Sequence, residues 1–211
     1  MRFLLNEEIE GYAERHTSGE PALLAELSAF TWQEMHSPQM ISSRCSGRLL
    51  TSLCQIMGAR FALEIGMFTG YSALSIAEGL LPEGKLITCD ISSEFAKTAQ
   101  GYFEQSPVGH KIDVRIQDAR KTIEEITHEL DFVFIDADKV SYQAYYSAVL
   151  PKVRRGGVLV VDNCLWSGKV LHPRDADSLA ISEFNSFVAR DERVSNVMLT
   201  VRDGLNLIIK K

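Results

Sequence analysis

Leu63-Glu64-Ile65-Gly66-Met67-Phe68-Thr69-Gly70-Tyr71-Ser72 reads as the end of a strand, a glycine-punctuated turn and the opening of a helix. Glycine at 66 and 70 lets the backbone come close to a ligand. The free N–H groups and positive end of the new helix can receive a carboxylate, with Ser72 adding a hydroxyl. An ordinary strand-to-helix turn has the same look, and two glycines do not separate the readings. Asp90 favours the ligand. It ends the next apolar run, 20 positions beyond Gly70, where an acid can accept hydrogen bonds from both hydroxyls of a ribose. The alternative role for Asp90, beside Ser92 and Ser93, is a turn or helix cap. Phe68 narrows the ligand further. It stands where G-x-G-x-x-G needs a small residue, so a pyrophosphate would clash. A nucleoside with an amino-acid tail fits better, its adenosine near Asp90 and its tail near Gly66 and Ser72. Gln117-Asp118-Ala119 then falls at the next strand end, where Asp118 is either an acceptor for the adenine amine or a polar turn residue.

Outward from this turn, apolar β-rich runs recur near 61–65, 85–90, 112–117, 131–136 and 157–162, each followed by a helical period. That alternation predicts βαβ units around a buried, doubly wound parallel sheet. Val194 to Val201 and Leu205 to Ile209 flank Asp203-Gly204 and predict a terminal β-hairpin. The fold class is therefore α/β: a Rossmann-like, seven-stranded, mostly parallel sheet with a C-terminal antiparallel hairpin and helices on both faces. Before residue 60, helices are expected over 3–14, 21–35 and 43–58, with Ser18 or Pro21 and Ser42-Ser43 as start signals. One domain over 1–211 is expected, with 1–58 as an N-terminal helical substrate and dimer segment and 59–211 as the cofactor-binding core.

The composition excludes several classes. With 211 residues and 45% hydrophobic content, the chain can bury a substantial core. A net charge of −6 and the lack of a basic stripe argue against nucleic acid. Cys45, Cys54, Cys89 and Cys164 form no C-x-x-C pair, which suggests neither a zinc knuckle nor a disulfide framework. Met1 to Leu5 runs straight into Asn6-Glu7-Glu8, too soon for a signal-peptide apolar region, and no apolar run approaches the roughly 20 residues of a membrane span. A cytoplasmic protein acting on a small molecule, with no membrane partner, is the expectation.

Two more strand ends carry oxygen ligands, Phe134-Ile135-Asp136-Ala137-Asp138-Lys139 and Val160-Val161-Asp162-Asn163. Consecutive βαβ units commonly set such ends side by side, so Asp136, Asp162 and Asn163 are expected to converge. Two carboxylates and an amide oxygen make a hard, incomplete shell suited to Mg²⁺ or Mn²⁺, with positions left for water or substrate. Separate solvated acids are the plainer alternative. Asp136-x-Asp138 also matches the nucleophile motif of haloacid-dehalogenase-type phosphatases, but there the motif opens the fold, whereas here several strands precede it.

These stretches, together with Asp162-Asn163-Cys164-Leu165-Trp166-Ser167-Gly168, carry a resemblance. Phe61 to Lys211 resembles the cation-dependent class I O-methyltransferases, the caffeoyl-coenzyme A and catechol O-methyltransferase-like group. Tyr12-Ala13-Glu14-Arg15-His16-Thr17 looks like the helix-to-loop entry of the bacterial members. The resemblance implies S-adenosylmethionine (SAM) as cofactor, a divalent ion (Mg²⁺, or Mn²⁺ or Ca²⁺), a catechol-like substrate and a homodimer. It implies that Asp136, Asp162 and Asn163 bind the metal, that Asp138 holds the cofactor's amino group, and that Lys139 is the catalytic base beside Asp136. Cofactor contacts are expected from Met40, Glu64, Gly66, Phe68, Thr69, Tyr71, Ser72, Asp90, Ile91, Asp118, Ala119, Asp136, Asp138 and Tyr145. Substrate contacts are expected from Met40, Lys139 and Trp166, within a mouth made by the N-terminal helices, Ser37 to Arg44 and Trp166 to Asp177. The chain departs from the group's usual pattern at Ser42, Ser43, Arg44 and Cys45. For Lys139 the alternative role is a charge partner of the two acids. The rival functions are a nicotinamide-dependent oxidoreductase and a SAM-binding module without catalysis.

Overall fold

The computed structural model describes residues 7–211. Three N-terminal helices, α1 (Glu7–Arg15), α2 (Ala22–Glu34) and α3 (Arg44–Met57), precede the sheet. The helix expected over 3–14 appears from Glu7; its first four residues lie outside the described ones. Ser43 caps α3 by accepting the Ser46 amide, and Gly58, at φ +58°, ends it.

The core alternates β1 (Phe61–Ile65), α4 (Tyr71–Gly79), β2 (Lys85–Asp90), α5 (Ser93–Gln105), β3 (Ile112–Ile116), α6 (Ala119–Glu125), β4 (Leu130–Ile135), α7 (Tyr142–Val149), β5 (Val153–Val161) and α8 (Ala176–Ala189), then β6 (Val194–Leu199) and β7 (Leu205–Lys210). The strands form one sheet in the order β3-β2-β1-β4-β5-β7-β6. Its first five are parallel, and β7 runs antiparallel to both neighbours.

Both faces of the central strands are buried, which is why they read as continuous apolar runs. Ala62, Phe132 and Phe134 face one apolar cluster, with Leu74 and Ile76 of α4 and Leu50 of α3. Their neighbours Leu63, Val133 and Ile135 face the other, with Tyr142 and Tyr146 of α7 and Phe184 of α8. Each fully buried side chain of this size contributes about 1.5–3 kcal/mol, so the middle of the sheet is rigid. All four cysteines are free. No helix among the described residues is long and apolar enough to cross a membrane.

Two boundaries differ from expectation. β5 starts at Val153 rather than near 157, because Val153 pairs with Leu130 before the register jumps to Phe132–Val158 across Gly156 and Gly157. The polar Arg154-Arg155 hides this start from an apolar-run reading. The hairpin turn is also longer than an Asp-Gly pair. Leu199 faces Leu205, which leaves a five-residue loop over 200–204. Gly204, at φ +88°, is required there, since a Cβ would stand 2.4 Å from Leu165 Cγ.

Candidate active site

The strand order reverses between β1 and β4, and at that switch point a crevice opens beyond the carboxyl ends of the strands. Backbone hydrogen bonds extend the sheet one step past its strands: Gly66 N–H donates to Cys89 O at 2.9 Å, Asp136 N–H to Ile65 O at 2.8 Å, and Asp162 N–H to Ile135 O at 3.0 Å. Gly66, Asp136 and Asp162 therefore stand at successive steps of one edge. All three line a cavity of about 710 Å³.

One half of this cavity is backbone and small side chains. Gly66 has φ +97°, and a Cβ there would lie 1.9 Å from the Asp136 carbonyl oxygen, so only glycine lets the two loops touch. Gly70, at φ +92°, precedes α4 with no side-chain cap, which leaves the helix's first amides to other partners. Asp90 accepts from Met67 N–H (3.1 Å) and Phe68 N–H (3.0 Å) through one oxygen and from Ser92 N–H (2.9 Å) through the other. It is thus the hub of the turn as well as a cavity wall. Phe68, at φ +48°, lines the cavity and packs edge-on against Phe95. Ser72, Ile91, Ala119 and the half-exposed Met40 also face the cavity. Thr69 and Tyr71 line it too, but their hydroxyls are engaged elsewhere: Thr69 with Thr31 of α2 at 3.0 Å, Tyr71 donating to Glu20.

Two residues expected to contact the cofactor do not line the cavity. Glu64 is fully buried and does not line the cavity. One of its oxygens accepts from the Thr88 hydroxyl at 2.5 Å, and the other has no partner among the described residues. Burial pushes its carboxyl up to about 8, against the hydrogen bond from Thr88. Asp118 caps α6, accepting from Arg120 N–H at 2.8 Å and pairing with the Arg120 guanidinium. That side-chain pairing draws its carboxyl down to about 2. In this structure Asp118 serves the turn, as helix cap and arginine partner.

The other half of the cavity is acidic. Asp136, Asp138, Asp162 and Asn163 line it together with Lys139, Tyr145 and Trp166. Lys139 is buried, donating to Asp136 Oδ1 at 2.9 Å and to the Tyr142 hydroxyl at 2.6 Å, while Tyr142 donates to the Asp162 carbonyl at 3.0 Å. Its ammonium lies 5.6 Å from the Trp166 ring centre. Burial, and then the charge of Asp136, raise the Asp162 carboxyl well above the carboxylate range. A cation nearby would relieve this strain between the two acids. Asn163, at φ +57°, tolerates the left-handed turn that keeps it at the strand end. Among the described residues no three His, Cys, Asp or Glu side chains form a metal cluster; the set here is two carboxylates and an amide oxygen, the hard donors that suit Mg²⁺ or Mn²⁺. Asp138 accepts from the Tyr145 hydroxyl at 2.6 Å, and burial followed by that bond pushes the Tyr145 phenol up to about 12.

Arg202 and Asp203 complete this half and were missed in the sequence, where Asp203-Gly204 was read only as a turn. Asp203 is buried; its carboxylate accepts from Ser167 N–H, and its carbonyl accepts from Leu165 N–H at 2.8 Å. The signal was topological. A strand antiparallel to β5 must begin where β5 ends, so the loop before β7 falls beside Asp162.

The family model described as O-methyltransferase matches residues 14–211. Probable caffeoyl-CoA O-methyltransferase 1 of Dictyostelium discoideum is 33% identical over 213 residues, covering 97% of this chain and 93% of the relative. An O-methyltransferase from Bacillus cereus, solved in complex with SAH, superposes with a TM-score of 0.88 at 29% identity, over 97% of each chain. TomG from Streptomyces achromogenes, an O-methyltransferase involved in tomaymycin synthesis and solved with SAM, gives 0.87 at 28% identity, over 97% of this chain and 96% of that one. With the turn at Gly66, the acid pair at the β4 and β5 ends and the antiparallel β7 all in place, the chain belongs to the O-methyltransferase family.

Proposed function

We propose that this SAM-dependent O-methyltransferase of the caffeoyl-CoA type uses a divalent cation to methylate one hydroxyl of a vicinal diphenol. The observation that carries the reading is the side-by-side position of Asp136 and Asp162 on one cavity wall, next to the glycine turn. Cofactor donors and acceptors are available there: the uncapped amides of α4, Ser72, Asp90 and Asp138. Asp136, Asp162 and Asn163 would hold the cation.

A phenol ionises near pH 10, so about one molecule in a thousand is the nucleophile at neutral pH, a handicap of roughly 4 kcal/mol. When bound, SAM supplies an electrophilic methyl group and the cation favours the ionised diphenol. The residues of the chain orient the reactants. Ser72, Asp90 and Asp138 would hold SAM, and Asp136, Asp162 and Asn163 the cation, so that the sulfonium methyl group would be presented to the ionised diphenol oxygen. Lys139, its nitrogen held by Asp136 and the Tyr142 hydroxyl, would accept the phenolic proton as the neutral amine. Trp166 offers an aromatic face at the mouth. A cytoplasmic homodimer completes the proposal, supported by the exposed apolar side chains Ile9, Tyr12, Trp32 and Ile56 on α1–α3.

The test is product mass analysis with SAM and a panel of 3,4-dihydroxyphenyl compounds, in Mg²⁺ and in excess chelator. A singly methylated product that falls at least about 100-fold in chelator is expected. Full activity in chelator would refute the cation, and a panel without product would refute the substrate class.

A further inference from the structure

Arg202 is a bulky residue held at φ +48°, in the left-handed region that favours glycine. The loop that strains it also brings it to the cavity wall, between the two substrate-side segments. On one side its Nη1 donates to the Ile41 carbonyl at 3.3 Å. On the other, the adjacent Asp203 holds the Leu165–Ser167 turn that carries Trp166. Lys139, the other cation on this acidic wall, is already bound to Asp136 and Tyr142. Arg202 is not. Its charge is felt by Asp162 and Asp203, yet among the described residues no carboxylate lies within ion-pair distance of it, and the Ile41 carbonyl is its one hydrogen-bond acceptor. A guanidinium has five N–H donors in a planar fork that matches a carboxylate. Most of that fork is therefore open at the mouth of the site.

We infer that Arg202 is a specificity-determining residue that receives a carboxylate on the tail of the aromatic substrate. The inference rests on the proposed catechol chemistry and narrows it to anionic dihydroxyphenyl acids. Strain at a non-glycine position is retained when the side chain it presents has a use. A positive group at the edge of the acidic wall sorts substrates by tail charge. The ring's oxygens face the acids, a carboxylate tail faces Arg202, and a cationic tail is repelled. A carboxylate could also come from the methionine portion of the cofactor, and the experiment separates the two sources.

Arg202→Gly is the informative variant, because glycine accepts the same backbone angle; its Tm should stay within about 3 °C of wild type. Calorimetric binding of 3-(3,4-dihydroxyphenyl)propionate and of its methyl ester, each with SAH and Mg²⁺, reads the arginine without turnover. We expect the acid to lose at least about tenfold in affinity while the ester stays within about twofold. Arg202→Lys should restore part of the loss. Equal losses for acid and ester would mean that Arg202 only straps the Ile41 segment, and no loss for the acid would overturn the proposal outright. A loss of SAH affinity by itself would assign the guanidinium to the cofactor instead. Turnover of the same compounds tests the catechol reading separately: wild type that binds the acid through Arg202 but methylates neither compound would leave the anion site standing and remove that reading.

Discussion

The two halves of the cavity are built by opposite means. Around Gly66 and Gly70 the ligand surface is backbone, and its shape depends on what is missing: a Cβ at 66 and a side-chain cap on α4. Around Asp136 and Asp162 it is side chains, and its character depends on charge brought into a buried place. A backbone surface tolerates little substitution, whereas an acidic surface can lose one oxygen donor and keep its shape. The halves meet where Gly66 touches the Asp136 carbonyl, so damage there should spread to both while damage elsewhere stays in one.

Gly66→Ala should have the largest effect. The added methyl overlaps backbone at an unfavourable φ, at a cost of about 3–5 kcal/mol; calorimetry should find Tm lowered by roughly 10 °C, with cofactor binding and turnover both lost. If SAM affinity survived, the contact between halves would not matter. Asp162→Ala should divide them cleanly. Turnover is expected to fall at least about 100-fold while the dissociation constant for SAM, by titration calorimetry, stays within about threefold; a matching loss of cofactor affinity would erase the distinction.

Glu64 lies beneath the backbone half, and its folded carboxyl holds a proton more tightly than the unfolded one. Its contribution is therefore complete below about pH 4.5 and lost as pH rises through about 8. Ligand-free unfolding free energy, measured with urea from pH 5 to 9, should decline less steeply in Glu64→Gln than in wild type, by an amount on the order of a few kcal/mol at most. Parallel curves would mean that the buried carboxyl does not titrate there. The smallest effect belongs to Asp118→Ala. Because Asp118 caps α6 outside the cavity, SAM affinity should not move by more than about twofold, and a larger loss would return it to the cofactor surface.

The sequence made the two halves legible to different depths. Glycine turns, apolar runs and acids at strand ends follow from local spacing, so the sheet, Gly66, Asp90 and the Asp136–Asp162–Asn163 set could be anticipated. The direction of single side chains could not. Asp118 and Glu64 stand at the right positions along the chain, but a helix cap claimed one and burial behind Thr88 the other. Arg202 was hidden for the reverse reason: nothing nearby in sequence marks it, and only the antiparallel pairing of β7 with β5 carries it to the catalytic edge.

That same strand direction has a practical use. β7 leaves the cavity edge at Leu205 and runs to the far side of the sheet, where Lys210 Nζ donates to the Val153 carbonyl at 2.6 Å and Lys211 N–H to the Arg193 carbonyl at 2.9 Å. A tag or surface linker attached after Lys211 therefore emerges behind the molecule and leaves the mouth turned toward solution, so immobilised protein should report the same affinities as free protein.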